Sequence, residues 1–213
     1  RSEHFIPALE MFNMVSVGAV TTFNYGGTPI PLFSTIYSDK IMKGGLGTWG
    51  IIQPPLPVEY FPLALWAMAY EFHAGKIVSL FNWFANALTI SPSSDDADYV
   101  VYEFAREIVK SYDEQDARKY ALWGQRLQSP GGTGEYVYYQ QGLAQGLASN
   151  AFPVLVSSWK AFDNTRGIII TNTDSAAHPY LFTIDFSSHG LTPGTSYNLF
   201  EMQIPSNHIQ RTY

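Results

Sequence analysis

SPGGTG, residues 129–134 (Ser129-Pro130-Gly131-Gly132-Thr133-Gly134), separates two kinds of sequence pattern. Upstream of it, apolar runs of strand length alternate with stretches of helical period. Phe61 to Ala74 (FPLALWAMAYEFHA) is apolar at nearly every turn and predicts a helix buried around most of its circumference, stopped by Gly75. Lys76 to Trp83 (KIVSLFNW) reads as a buried strand, and Pro29 to Tyr37 (PIPLFSTIY) as a Pro-bounded one. Pro92-Ser93-Ser94-Asp95 caps an amphipathic helix from about Ala97 to Tyr112, with Tyr99, Tyr102, Phe104, Ile108 and Val109 as its apolar side, and Glu114 to Leu122 continues helically. Downstream, short runs are separated by turn residues: Tyr136 to Gln140, Val154 to Trp159, Gly167 to Asn172, Tyr180 to Phe186 and Tyr197 to Met202. An alternating strand and helix region followed by an all-strand region predicts an α/β part joined to an all-β part.

Composition narrows the function. The chain has 213 residues, 46% of them hydrophobic, enough for a packed core. Its charged share of 14% is below the usual value of about 25%, whereas aromatics reach 15%. That aromatic excess suits either sheet packing or a cleft whose flat rings stack on sugars. A net charge of -6 without a Lys/Arg-rich run argues against nucleic acid, which demands a basic face. Absence of cysteine excludes disulfides and thiolate metal sites. No run reaches the length of a membrane span, and no signal peptide opens the chain. The start at Arg1 suggests a piece of a longer reading frame or a processed product.

Strand, helix, strand, helix is the repeat of a parallel barrel. Only two clear units are present, and a complete barrel needs eight strands in about 250 residues. Residues 1–128 are therefore expected to form the C-terminal portion of a (β/α)8 (TIM) barrel, residues 129–135 a linker, and residues 136–213 an antiparallel β-sandwich. Ser2 to Met14 reads as a capped helix or ordered turn, and Gly18 to Gly27 and Gly44 to Pro57 read as loops.

Four stretches, SEHFIPALEMF (2–12), IPLFSTIYSDKI (30–41), EFHAGKIVSLFNW (71–83) and VLVSSWKAFDNTRGIIITNTDSAAHPYLFTIDF (154–186), resemble successive blocks of a barrel-plus-sandwich family. Its members are glycoside hydrolase-like proteins related to the α-galactosidase and endo-α-N-acetylgalactosaminidase groups. The resemblance implies a carboxylate pair that cleaves a glycosidic bond, with the nucleophile on a middle strand that has no counterpart here. It also implies Glu3 as the acid/base, in a block whose Glu stands at the mouth of a barrel strand. A solvated acid in the first turn of a helix is the other reading of Glu3.

Around that acid, His4 either orients the carboxylate or caps. Tyr37 and Asp39 follow a strand, where parallel barrels hold substrate, and Asn82 and Trp83 repeat that position. Asp39 is equally a turn residue bonding to its own backbone. Trp49, in the Gly-rich loop, is the best stacking platform. Trp66 and His73 read as interior residues, His73 hydrogen-bonded and without partners at metal spacing, while Trp159 reads as structural and Asp163-Asn164-Thr165-Arg166 as a hairpin turn. Asp95, Asp96 and Asp98 lack the Gly and terminal Glu of a calcium loop and cap a helix instead. Neither metal nor cofactor is expected. The expected partners are carbohydrate and whatever completes the barrel, either an N-terminal segment or another copy of the chain. A non-catalytic carbohydrate-binding or surface-assembly protein that kept the fold is the alternative.

Overall fold

The computed structural model describes residues 14–17, 42–45, 61–77, 97–114, 117–135, 137–140, 148–151, 153–174 and 176–200. Three strands, β1 (Met14–Val17), β2 (Met42–Gly45) and β3 (Lys76–Ile77), form a parallel sheet in chain order. Met14 lies opposite Met42, and Lys43 opposite Lys76. Parallel neighbours require a crossover connection. Helix α1 (Phe61–His73) lies in the crossover from β2 to β3, and α2 (Ala97–Glu114) follows β3.

Helix α1 ends because Gly75 takes a φ of 70°, which a Cβ would disfavour. The chain enters β3 one residue later. Met68 and Phe72 of α1 pack with Ala105, Ile108 and Tyr112 of α2 and with Ala121 at the end of α3 (Ala117–Ala121). Phe72 and Tyr112 meet edge to face at 5.4 Å, and the Tyr112 hydroxyl donates to the Lys76 carbonyl at 3.0 Å. Ala105, Ile108 and Tyr112 recur at spacings of three and four, so they set the inward stripe of α2. Val109, expected on that side, is 51% exposed: it stands one residue past Ile108 and thus about 100° further around the helix.

The remaining described strands pair antiparallel. β4 (Gln125–Arg126), β8 (Val154–Lys160) and β9 (Arg166–Asn172) form one sheet in the order β4-β8-β9. β5 (Gly131–Gly134) pairs with β10 (Tyr180–Thr183), and β6 (Val137–Gln140) with β7 (Ala148–Ala151). Trp159 is fully buried and packs with Tyr120 and Ala161, while Ile169 touches both this cluster and the α1–α2 core. One apolar side chain of β9 thereby joins the helical layer to the sheet. Between β8 and β9, Asn164 adopts a φ of 68°, and the Asp163 carboxylate accepts from the Thr165 N–H at 3.0 Å and hydroxyl at 2.6 Å, as the expected hairpin turn requires.

Four segments differ from the sequence expectation. Within the expected linker, Gly131 to Gly134 is strand β5. Tyr180 stands opposite Gly134 in the register, and its ring lies over the β5 backbone: a Cβ at Gly132 would come within 2.3 Å of the Tyr180 hydroxyl oxygen. Glycine is the residue that lets this ring pack flat across the pair. The run Tyr180 to Phe186 stops as a strand at Thr183, because Asp185 takes the Ser187 N–H at 3.0 Å and turns the chain. Of the expected strand Tyr197 to Met202, residues 197–200 are described and are not a strand; the Tyr197 hydroxyl oxygen instead accepts the Thr192 N–H at 2.7 Å, folding that segment back on its own turn. Gly44 and Gly45, expected in a loop, belong to β2. The expected strand Pro29 to Tyr37, the expected helix or turn at 2–14 and the expected loop at 18–27 lie wholly or almost wholly outside the described residues.

Candidate functional site

Glu3, His4, Tyr37, Asp39, Trp49, Asn82 and Trp83 all lie outside the described residues. What those residues do bring together are two polar clusters, one buried and one at the surface.

The buried cluster forms where the C-terminal turn of α1 meets β4, β8 and β9. The periodicity that makes α1 apolar on most faces also carries Glu71 and His73 inside with it and leaves Tyr70 half-buried beside them. Glu71 is 1% and His73 3% exposed. His73 Nδ1 lies 2.8 Å from Ser157 Oγ and Nε2 2.9 Å from Thr171 Oγ1. The indole N–H of Trp159 donates to the same Ser157 oxygen at 2.9 Å. An indole nitrogen only donates, so the Ser157 oxygen accepts from Trp159, and a neutral imidazole fits between the two hydroxyls in either tautomer, donating to one and accepting from the other. In that arrangement each of these protons has an acceptor. Burial, and next the Arg126 charge, push the His73 pKa down to about 3 and keep the ring neutral.

Glu71 is placed differently. Its carboxylate is 4.0 Å from the Lys76 ammonium, too long for a hydrogen bond, and among the described residues neither oxygen has a hydrogen-bond partner. Burial pushes its pKa up to about 7, against the pull of Lys76, while burial lowers Lys76 against the pull of Glu71. Burial likewise raises Tyr70 to about 12 and lowers Arg126 to about 10, each partly restored by the other. The Arg126 guanidinium sits 5.8 Å over the Trp159 ring and donates to Ser129 at 3.1 Å.

Perturbed groups gathered in one place are a signal of function when a substrate can reach them. Here Glu71, His73 and Lys76 are buried, at 1%, 3% and 4% exposed. They also stand at the entry to β3, the N-terminal end of a parallel strand, whereas parallel sheets hold ligands beyond the C-terminal ends. The cluster is a polar lock between the helical layer and the antiparallel sheet.

The surface cluster is built by β5, β10 and the loop joining β9 to β10. Asn172 organises that loop, donating to the Ala176 carbonyl at 2.7 Å and accepting the Asp174 N–H at 3.1 Å. His178 then lies between two carboxylates, with Nε2 2.6 Å from Asp174 and Nδ1 3.2 Å from Glu135. Beside it opens a cleft of about 400 Å³ lined by Thr133, Gly134, Glu135, Pro179, Tyr180 and Leu181. Hydrogen bonding to Asp174, followed by that to Glu135, holds the His178 pKa above the ordinary histidine value.

Among the described residues no group of three or more His, Asp or Glu side chains is arranged to hold a metal ion, and no helix is long and apolar enough to cross a membrane. Glu71 could have been singled out from sequence as the one acid in an apolar helix, followed five residues later by Lys76. Glu135, Asp174 and His178 carry no such signal, because a strand pairing between distant segments brings them together. Comparison of the chain with family models, with curated proteins and with solved structures finds no match.

Proposed function

We propose that this chain is the C-terminal part of a glycoside hydrolase-like protein, a portion of a (β/α)8 barrel followed by a β-sandwich, that cleaves O-glycosidic bonds with two carboxylates. The observation that carries the reading is the order of the parallel sheet: β1, β2 and β3 are neighbours in chain order, with α1 in a crossover, and antiparallel strands follow. The four sequence blocks that resemble the barrel-plus-sandwich family span both parts. The buried lock adds to this, since it packs β8 and β9 against the C-terminal turn of α1, which leads into the N-terminal end of β3, the end that such folds give to stability.

In this mechanism Glu3 protonates the leaving glycosidic oxygen while a carboxylate from a segment N-terminal to the chain attacks the anomeric carbon. Glu3 then takes a proton from the water that releases the sugar. Retention requires the two carboxyl groups to stand about 5 to 5.5 Å apart. Tyr37, Asp39, Asn82 and His4 would bind sugar hydroxyls or orient the acid, and Trp49 and Trp83 would stack on pyranose faces. No cofactor takes part.

A non-catalytic binding or surface-assembly role is the second reading. It is favoured by Phe162, Leu181, Leu199 and Phe200, exposed by 78%, 74%, 89% and 79%.

The test is turnover of a panel of α- and β-aryl glycosides by the complete polypeptide that carries this chain, beside its Glu3→Gln variant. Hydrolysis that falls at least about 100-fold in Glu3→Gln supports the enzyme reading. Retained polysaccharide binding without any turnover selects the second reading. Neither turnover nor binding overturns both.

A further inference from the structure

Both ring nitrogens of His178 face carboxylates, and an ionised carboxylate only accepts. The arrangement is satisfied by one species, the imidazolium, which donates from Nε2 to Asp174 and from Nδ1 to Glu135. A neutral imidazole has a single N–H. It would keep the 2.6 Å bond to Asp174 and turn a lone pair toward Glu135 at 3.2 Å, where two electron-rich atoms repel.

The two carboxylates come from different elements. Asp174 belongs to the loop that carries His178 itself, whereas Glu135 follows β5 and lines the cleft. We propose that His178 is a pH-sensitive clasp: protonated, it ties the β9–β10 loop to the end of β5 and holds the Glu135 carboxylate, and on losing its proton it releases Glu135 to the cleft. The charged groups that act on the ring are Asp174 and Glu135. Both favour the charged ring, so the clasp is closed in acid and opens as the pH rises through the His178 pKa. The His178 side chain is only 11% exposed, whereas that of Glu135 is 66% exposed, which leaves the Glu135 carboxylate room to move away when released. The clasp is independent of any glycosidase activity.

The experiment is an NMR titration of the full chain between about pH 5 and 9, following the imidazole nitrogens of His178, assigned through His178→Gln, and the backbone amides of Glu135 and Tyr180. Expected are a midpoint above the ordinary histidine value, two protonated nitrogens on the acid side, and retention of the Nε2 proton on the basic side. The amides of Glu135 and Tyr180 should shift with the same midpoint. Glu135→Gln and Asp174→Asn should each lower that midpoint, Asp174→Asn by more because its bond is shorter. A His178 midpoint at or below the ordinary value overturns the proposal, as do amides at 135 and 180 that ignore the His178 titration, or a midpoint that neither variant moves.

Discussion

His73 and His178 are both hydrogen-bonded through both ring nitrogens, but in the two regions the same side chain is in opposite states. In the buried lock His73 sits between the hydroxyls of Ser157 and Thr171, which can donate or accept, so a neutral ring satisfies every proton. At the sheet edge His178 sits between carboxylates, which only accept, so the ring must be charged. Neither state belongs to histidine as a residue. Partner chemistry and burial choose it, and they also determine what the residue does: one histidine joins layers at all ordinary pH values, the other responds to pH.

The comparison breaks most plainly if the two histidines cost the same to remove. His73→Ala leaves the buried Ser157 hydroxyl and the half-buried Thr171 hydroxyl short of a partner and opens a cavity, so a loss of about 3 to 5 kcal/mol is expected in urea unfolding at pH 7. His178→Ala should leave the midpoint nearly unmoved. The pH dependence carries the same signature. With the His73 pKa depressed from 6.5 to about 3, its contribution is complete above pH 6.5 and is lost as the pH falls toward 3. Subtracting the His73→Ala curve from that of the wild type should isolate this acid-side loss.

Glu71 sharpens the contrast from the other side. Its pKa is raised from 4.5 to about 7, so the folded protein holds this proton more tightly than the unfolded chain. The favourable contribution is complete below pH 4.5 and is lost as the pH rises through about 7. Glu71→Gln removes the ionisation, and above pH 7 the variant should exceed the wild type by up to about 3 kcal/mol. The two should converge below pH 4.5. A difference that stays flat with pH, read from chemical denaturation at several pH values, would mean that Glu71 is not the buried acid described here.

A smaller effect is expected at the sheet edge. Gly132→Ala puts a methyl group into the Tyr180 ring and should cost about 1 to 3 kcal/mol. Gly131→Ala meets nothing within 4 Å and serves as the control. Adding Tyr180→Ala should remove most of the Gly132→Ala penalty, because the clash is with that ring. Thermal unfolding of the three variants and the double mutant measures this.

Legibility in the sequence followed side-chain periodicity. Helices α1 and α2 and strands β8 and β9 were evident because apolar residues recur with the period of the element, and the 163–166 turn because Asp and Asn carry the chemistry it needs. The interior places of Trp66 and His73 follow from the same patterns. Strand β5 was not evident. Three glycines and a threonine have no pattern to read, and their pairing depends on Tyr180, far along the chain. Strand β1 and the short strands β3 and β4 gave too few residues for alternation to show their extent. The candidate catalytic and sugar-binding residues rest on strand-end logic and family resemblance, and both concern positions outside the described residues.

By itself the sequence determined the helices at 61–73, 97–114 and 117–121 and that Trp66 and His73 are interior. Those properties are local, set by periodicity, turn chemistry and the cost of exposing apolar area. Tertiary structure alone decided that Gly131 to Gly134 of the SPGGTG stretch form a strand, that Glu71 has no hydrogen-bond partner among the described residues, and that His178 stands between two carboxylates. Each of these depends on which distant residue arrives opposite, and a one-dimensional pattern carries no information about a partner that only folding brings near.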